Sequence, residues 1–272
     1  MNKRTMTTKD IQSIGLNILK DIHSFCVANN IRYSLYGGTM LGAVRHGGFI
    51  PWDDDVDIAM PRDDYNRFVE SFVSQSGYKL FCPEKGNSWL TFARVCEMES
   101  TSVINRVVPW CGQETGVWVD VFPLDGASDI REKVVETISS LVSKNKILNR
   151  FRVTQAKFPL FSKDIKLMAN YLRICCLMHM WKGNIDQLRK SYIDECASIP
   201  FGSTNHYSNF AYAGGYGIRE YQEQVQFDSL ISLPFETEKF FCLEGYDQHM
   251  RNKYGDYMTP PPEDKRCFNT TF

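Results

Sequence analysis

With 272 residues the chain is long enough to bury a full core, as one elaborated domain or two small ones. Hydrophobic content of 43%, charged content of 23% and a net charge of -1 suit an ordinary soluble protein and argue against nucleic-acid binding over the whole surface. Nine cysteines, an odd number without any CxxC pair, suggest reduced thiols rather than a disulfide framework or a zinc site.

The amino terminus carries Lys3 and Arg4 but no apolar stretch behind them, so no signal peptide is expected. No run approaches the roughly 18 apolar residues a spanning helix needs, and a cytoplasmic protein is the expectation. From Thr7 to Asn30, Ile11, Ile14, Ile18, Leu19, Ile22 and Phe25 recur at helical spacing. Residues Ile31 to Tyr36 then alternate as a strand, Gly37-Gly38 reads as a tight turn, and a short helix is predicted from Thr39 to Arg45. A second strand is expected over Val56 to Met60, and Pro61 opens a helix through Phe68 and Val73.

Four β-like runs follow, Tyr78 to Cys82, Leu90 to Val95, Thr101 to Val108 and Gly116 to Phe122, which would complete a mixed sheet. The pattern turns helical from Ile130 to about Ile199 and mixed from Phe210 onward, with a late helix over Tyr246 to Tyr254. No repeat or low-complexity linker marks a boundary. The expected organisation is a core over 1–128, a basic helical insertion over 129–200 and a C-terminal region over 201–272 that packs on the core.

The chemistry concentrates in Gly37 to Met60. On an extended chain Asp53, Asp55 and Asp57 point to one side, and three carboxylates there repel unless a cation joins them. Such an oxygen-rich set suits Mg²⁺ or Mn²⁺, with substrate phosphates and waters completing the shell. A calcium loop of the EF-hand type fails, because Ile58 stands where glycine is needed and Asp64 where a bidentate glutamate is expected. A solvated acidic loop is disfavoured by the apolar flanks Phe49 to Trp52 and Val56 to Met60. Gly37, Gly38 and the helix start at Thr39 would let backbone amides approach a phosphate. Arg45, His46 and Arg62 are candidates to neutralise that phosphate, although a lone histidine beside glycines is as often structural.

The stretch Tyr36-Gly-Gly-Thr-Met-Leu-Gly-Ala-Val-Arg-His-Gly-Gly-Phe-Ile-Pro-Trp-Asp-Asp-Asp-Val-Asp57, continuing through Tyr65, closely resembles the signature of the LicD family. Val119-Asp120-Val121 and Tyr254-Gly-Asp-Tyr-Met-Thr-Pro-Pro261 add to the likeness. The resemblance implies an α/β (α+β) fold of nucleotidyltransferase type, a mixed sheet flanked by helices. By it Asp55, Asp57 and Asp120 are the catalytic acids and metal ligands, with Asp53 as a further ligand or outer partner. Asp120 would complete the metal site or take the acceptor hydroxyl's proton. The implied activity is transfer of phosphocholine from CDP-choline, a CDP-alcohol donor, to a glycan or lipid-linked glycan. A sibling using CDP-ribitol or CDP-glycerol, and a non-catalytic glycan- or nucleotide-binding protein, are the alternatives. Trp52, Trp110, Trp118, Tyr212 and Tyr216 are candidates to cage a quaternary ammonium.

Between Lys144 and Lys182 nine basic residues (Lys144, Lys146, Arg150, Arg152, Lys157, Lys163, Lys166, Arg173, Lys182) face Asp164 as the one acid, interleaved with bulky apolar groups. That pattern fits peripheral contact with the inner face of a membrane, and a solvated helical face is the plainer alternative.

Overall fold

The computed structural model describes residues 5–102, 116–155, 165–263 and 266. Helix α1 (Thr8–Ala28) begins on a capping box in which Thr7 and Asp10 satisfy each other's backbone amides, and it buries Ile11, Ile18, Leu19, Ile22 and Cys26 against the sheet. After it come β1 (Ser34–Leu35), α2 (Gly37–His46), β2 (Asp57–Pro61), α3 (Arg62–Ser71), β3 (Lys79–Phe81), β4 (Ala93–Cys96) and β5 (Trp118–Ala127). Helices α4 (Arg131–Thr154), α5 (Ile165–Met180) and α6 (Ile185–Cys196) form the middle of the chain. Strands β6 (His206–Ser208), β7 (Gln222–Glu223), β8 (Leu230–Phe235) and β9 (Glu238–Leu243) precede α7 (Tyr246–Tyr254). The architecture is mixed, helices on a curled sheet, as expected.

The sheet runs β1-β2-β5-β4-β3, with β6 and β7 added along the far end of β5. β2 and β5 are parallel, and the other pairings are antiparallel. β5 is the pivot: all ten of its residues are buried, its first half pairs with β2 and β4, and Asp125 to Ala127 pair with β6. A strand covered on both faces reads as a continuous apolar run, which is why a charged residue within it needs a partner. One apolar cluster joins the sheet to α1, α2, α3, the β8–β9 hairpin and α7. A second, around Val134, Leu141, Leu148, Tyr192 and Phe210, ties α4 and α6 to the end of β5.

Several boundaries differ from the expected ones. The glycine pair is not a turn before a helix but its first two residues, with Tyr36 as the extended residue ahead of them. The first strand keeps only Ser34 and Leu35, because only these pair with Ile58 and Ala59 on β2. Pro61 ends β2, and α3 starts one residue later. The expected strand over Thr101 to Val108 lies mostly outside the described residues. Seven cysteines are described and all are free. Among the described residues, no helix is long and apolar enough to cross a membrane.

Arg62 is a correction. Its guanidinium forms a fork with Asp125, Nε to Oδ1 and Nη2 to Oδ2 both at 2.7 Å, and both residues are buried. It fastens the start of α3 to β5 and does not line the acidic cavity, so it is not placed to neutralise a donor phosphate. Arg62→Ala would strand a buried carboxylate, and loss of one partner of such a pair costs about 3–5 kcal/mol. Equilibrium urea unfolding should show that loss, while Arg62→Met with Asp125→Leu should recover most of it by removing both charges together. A single-variant loss below about 1 kcal/mol, the range of an exposed pair, would contradict the burial described.

Candidate active site

Register builds the site. In the parallel ladder Asp57 of β2 lies opposite Asp120 of β5, and in the adjoining antiparallel ladder Arg94 of β4 lies opposite the same Asp120. Residues directly opposite on neighbouring strands project to the same face, so the three charged groups form a row across three strands. Arg94 donates to Asp120 through Nε (2.6 Å) and Nη2 (2.7 Å), while its guanidinium lies over the Trp118 ring at 4.2 Å. Asp120 therefore has a buried arginine as its charge partner.

Asp53 and Asp55 reach the same face from the segment before β2. A turn brings the Asp53 amide to the Ile50 carbonyl (2.9 Å), and the Gln12 amide of α1 donates to the carbonyls of Ile50 (3.3 Å) and Asp53 (2.8 Å). The strand itself starts only at Asp57, so the acids converge by a braced loop and not by strand alternation. At the other end Thr39 Oγ1 accepts from the Asp57 amide (2.8 Å), which makes buried Thr39 a brace between α2 and β2.

The glycines have a stated geometric reason. A Cβ on Gly37, whose φ is +54°, would meet Asp57 Oδ2 at 2.7 Å, and a Cβ on Gly38 would meet Asp53 Oδ2 at 2.6 Å. The space that a side chain would fill belongs to the carboxylates, so the pair makes room for the acids as well as exposing backbone at a helix amino terminus.

These groups line one cavity of about 720 Å³: Gly37, Gly38, Asp53, Asp55, Asp57 and Asp120 on one side, with Arg94, Arg152 and Lys253 also on its wall. Burial is the first cause that pushes Asp55 up to about 7, with Asp120 and Asp53 adding repulsion. Asp57 is held well above the carboxylate range by burial and then by Asp120 and Asp55, and burial lifts Asp53 to about 6. Among the described residues, oxygens of Asp53, Asp54 and Asp55 come within 4.8 Å of one another, and Asp57 and Asp120 face the same space. All of these donors are hard oxygens and they disfavour each other's ionisation, so the set fits a hard divalent cation.

Arg45 and His46 are not on the cavity wall. They occupy the last turn of α2, where the helix dipole favours cations, while the first turn, about 12 Å away along the helix, faces the acids. Arg45 Nη1 donates to the Tyr257 carbonyl (2.8 Å), and His46 sits edge-on to Trp52 at 6.3 Å. The cations that the structure does bring in went unread in the sequence. Arg94 had a usable signal, an arginine inside an apolar strand, whereas Arg152 looked like one of many surface charges.

Lys253 lies in a box: Nζ is 2.7 Å from Glu220, 4.2 Å from the Tyr36 ring centre and 4.6 Å from that of Tyr216. Tyr36 donates its hydroxyl to Glu220 as well. Of the aromatics named from sequence, Tyr212 and Tyr216 line the cavity, Trp52 lies under Arg266, Trp118 under Arg94, and Trp110 falls outside the described residues. Phe92 and Phe122 stand beside Tyr212 with ring centres 4.5 to 6.3 Å apart, and all three line the cavity.

A carboxylate whose folded pKa lies above its unfolded value costs the fold stability once pH passes the unfolded value, and the full cost is present above the folded one. For Asp55 that window runs from about pH 4 to 7. In chelator, Asp55→Asn should fall less steeply across this window and exceed the parent at pH 8 by on the order of 2 kcal/mol in urea titrations. A parent as stable as the variant at pH 8 would contradict the environment described for Asp55.

Residues 30–157, which include all four aspartates on the cavity wall, match the family described as LicD/FKTN/FKRP, nucleotidyltransferase domain. The chain is 29% identical over 268 residues to the lipopolysaccharide cholinephosphotransferase LicD of Haemophilus influenzae, covering 96% of this chain and 95% of that protein. It is 39% identical over 62 residues to the human ribitol 5-phosphate transferase FKRP, covering 23% of this chain and 12% of that protein. A 47-residue stretch is 51% identical to the uncharacterized protein RP689 of Rickettsia prowazekii, covering 17% of this chain and 18% of that protein. The motif in Tyr36 to Tyr65, the sheet register that completes it and these likenesses agree, and residues 30–157 of the chain are a nucleotidyltransferase domain of the LicD/FKTN/FKRP type.

Proposed function

We propose that this chain is a metal-dependent phosphotransferase that moves phosphocholine from CDP-choline onto a hydroxyl of a cell-surface glycan such as lipopolysaccharide. The observation that carries this reading is the likeness to a cholinephosphotransferase along nearly the whole chain, with four carboxylates gathered on one cavity wall. A bound Mg²⁺ or Mn²⁺ would neutralise phosphate oxygens as charge moves to the leaving nucleotide. Asp55 and Asp57 would hold it, with Asp53 beside them.

Asp120 has both oxygens engaged by Arg94, yet a carboxylate offers about four lone-pair sites and the fork uses two. The fork fixes Asp120 and takes up part of its capacity to accept protons, which suits a ligand or positioning group better than a proton acceptor. The aromatic wall of Phe92, Phe122 and Tyr212 offers π faces to a trimethylammonium group, which has no hydrogen to donate and is recognised by such faces.

The likeness to a ribitol 5-phosphate transferase supports a second reading, transfer from CDP-ribitol or another CDP-alcohol through the same acids. A panel of CDP-alcohols assayed for CMP release decides between them. CDP-choline should be turned over with Mg²⁺ and not in chelator, and both Asp55→Asn and Asp57→Asn should lower turnover at least about a thousandfold while remaining folded, as expected when a ligand charge is removed. Near-parental turnover in either variant removes the site assignment, and preference for CDP-ribitol reverses the order of donors.

Peripheral membrane contact belongs to the same proposal, since a lipid-linked acceptor has to be reached. Helix α5 exposes Leu172 and Met180 beside the exposed Lys166, Arg173 and Lys182, while Lys157 and Lys163 fall outside the described residues. Each basic residue near an anionic surface contributes about 1 kcal/mol. Charge reversal of Lys166, Arg173 and Lys182 to Glu should therefore release the protein from anionic vesicles at low salt without changing CMP release from a soluble donor. Equal co-sedimentation of parent and variant leaves a solvated helical face in its place.

A further inference from the structure

Helix α4 packs through Val134, Leu141 and Leu148, but Asn145, Asn149 and Arg152 fall along one side of the same helix at spacings of four and three and line the acidic cavity. The end of the helix is tacked down by an edge-to-face contact between Phe151 and Trp89, itself on the cavity wall, with ring centres 6.4 Å apart. Arg152, next to Phe151, is therefore held at the cavity wall by this packing.

Its electrostatic situation is unusual. Among the described residues, the buried Nε of Arg152 has no hydrogen-bond acceptor and no carboxylate pairs with its guanidinium. The charged neighbour that acts on it is Arg94, whose own fork is already given to Asp120. A cation at the end of a helix has an ordinary explanation in the helix dipole. That explanation accounts for a solvated arginine and not for one turned inward, stripped of water at Nε and set near a second guanidinium, where burial carries a cost unless a partner arrives.

The cavity wall thus has two unmet demands of opposite sign: carboxylates that repel one another and a guanidinium desolvated at Nε. A ligand that meets both carries an anionic group with oxygens arranged for a planar fork, and phosphate is such a group. We infer that Arg152, with Asn149 and Asn145 on the same side of α4, is the binding residue for a phosphate of the nucleoside-diphosphate donor. This rests on the reading that the cavity takes a CDP-alcohol. It also gives one residue of the basic middle segment a place in the cavity rather than on a membrane-facing surface.

The test uses the full-length protein with Mg²⁺ and two probes, inorganic pyrophosphate by calorimetry and CDP-choline by CMP release. Arg152→Gln should weaken pyrophosphate binding at least about tenfold and raise the donor KM by a similar factor, the scale of one charge-assisted contact, with an unchanged thermal midpoint. Arg152→Lys, which keeps the charge without the fork, should fall between the two, and it answers the question if the glutamine variant does not fold. Loss of pyrophosphate binding in Arg152→Gln while CDP-choline is inert in the parent keeps the phosphate site and removes the donor assignment. Turnover of CDP-choline with the same donor KM and the same pyrophosphate affinity in parent and variants overturns the phosphate site and leaves the transferase reading standing.

Discussion

The parallel pairing of β2 with β5 is the constraint from which the cavity follows. It sets Asp57 opposite Asp120, and because β5 also pairs with β4, it sets Arg94 on the other side of the same carboxylate. A slip of one residue in either ladder would turn these side chains to the opposite face and place apolar neighbours in the cavity. The register is secured on that opposite face by the apolar residues that alternate with the charged ones: Ile58 beside Asp57, Val119 and Val121 beside Asp120, Val95 beside Arg94, all buried. Packing on one face thus fixes the charge arrangement on the other.

Holding carboxylates this close has an electrostatic cost that the core has to outweigh. The row lets Arg94 offset Asp120, while Asp53, Asp55 and Asp57 are raised chiefly by burial and partly by one another. Gly37 and Gly38 belong to the same compromise. Helix α2 could begin on residues with better helix propensity, yet any side chain there would collide with Asp57 or Asp53. Local helix preference yields to the volume of two carboxylates.

What was legible in the sequence follows the range of the interactions. Local patterns located α1 to within two residues of its observed bounds and α7 at its observed ones, since amphipathic spacing and caps lie within the segment. The acids on the cavity wall were also visible, because Asp53, Asp55 and Asp57 crowd into five residues with apolar flanks. The positive side was not. Arg94 and Asp120 are separated by 26 positions and Arg62 and Asp125 by 63, so only the folded sheet shows which arginine meets which acid. Arg45 and His46 misled for the converse reason: near the glycines in sequence, they stand at the far end of α2 in space. Similarly, alternation over Ile31 to Tyr36 indicated a full strand, but pairing partners exist for only two of its residues.

The C-terminal region shows how a distant segment enters the same electrostatic balance. Tyr254 to Tyr257 open the stretch that adds to the sequence likeness, and they form a turn, with Gly255 ending α7 at φ +75°. One residue earlier, however, Lys253 is buried against Glu220 between tyrosine rings and acts to lower the pKa of Asp57. A buried ion pair is weak evidence for stability, since desolvating both ions can cost more than their attraction returns. Its position gives it a clearer physical consequence: Glu220 and the Tyr36 ring fix a positive charge at the edge of the acid cluster. Tyr36 is at once the residue ahead of Gly37, a partner of Glu220 and a wall of the box around Lys253. Through that one tyrosine the start of α2, the acids beside it and the last helix of the chain share a single set of contacts.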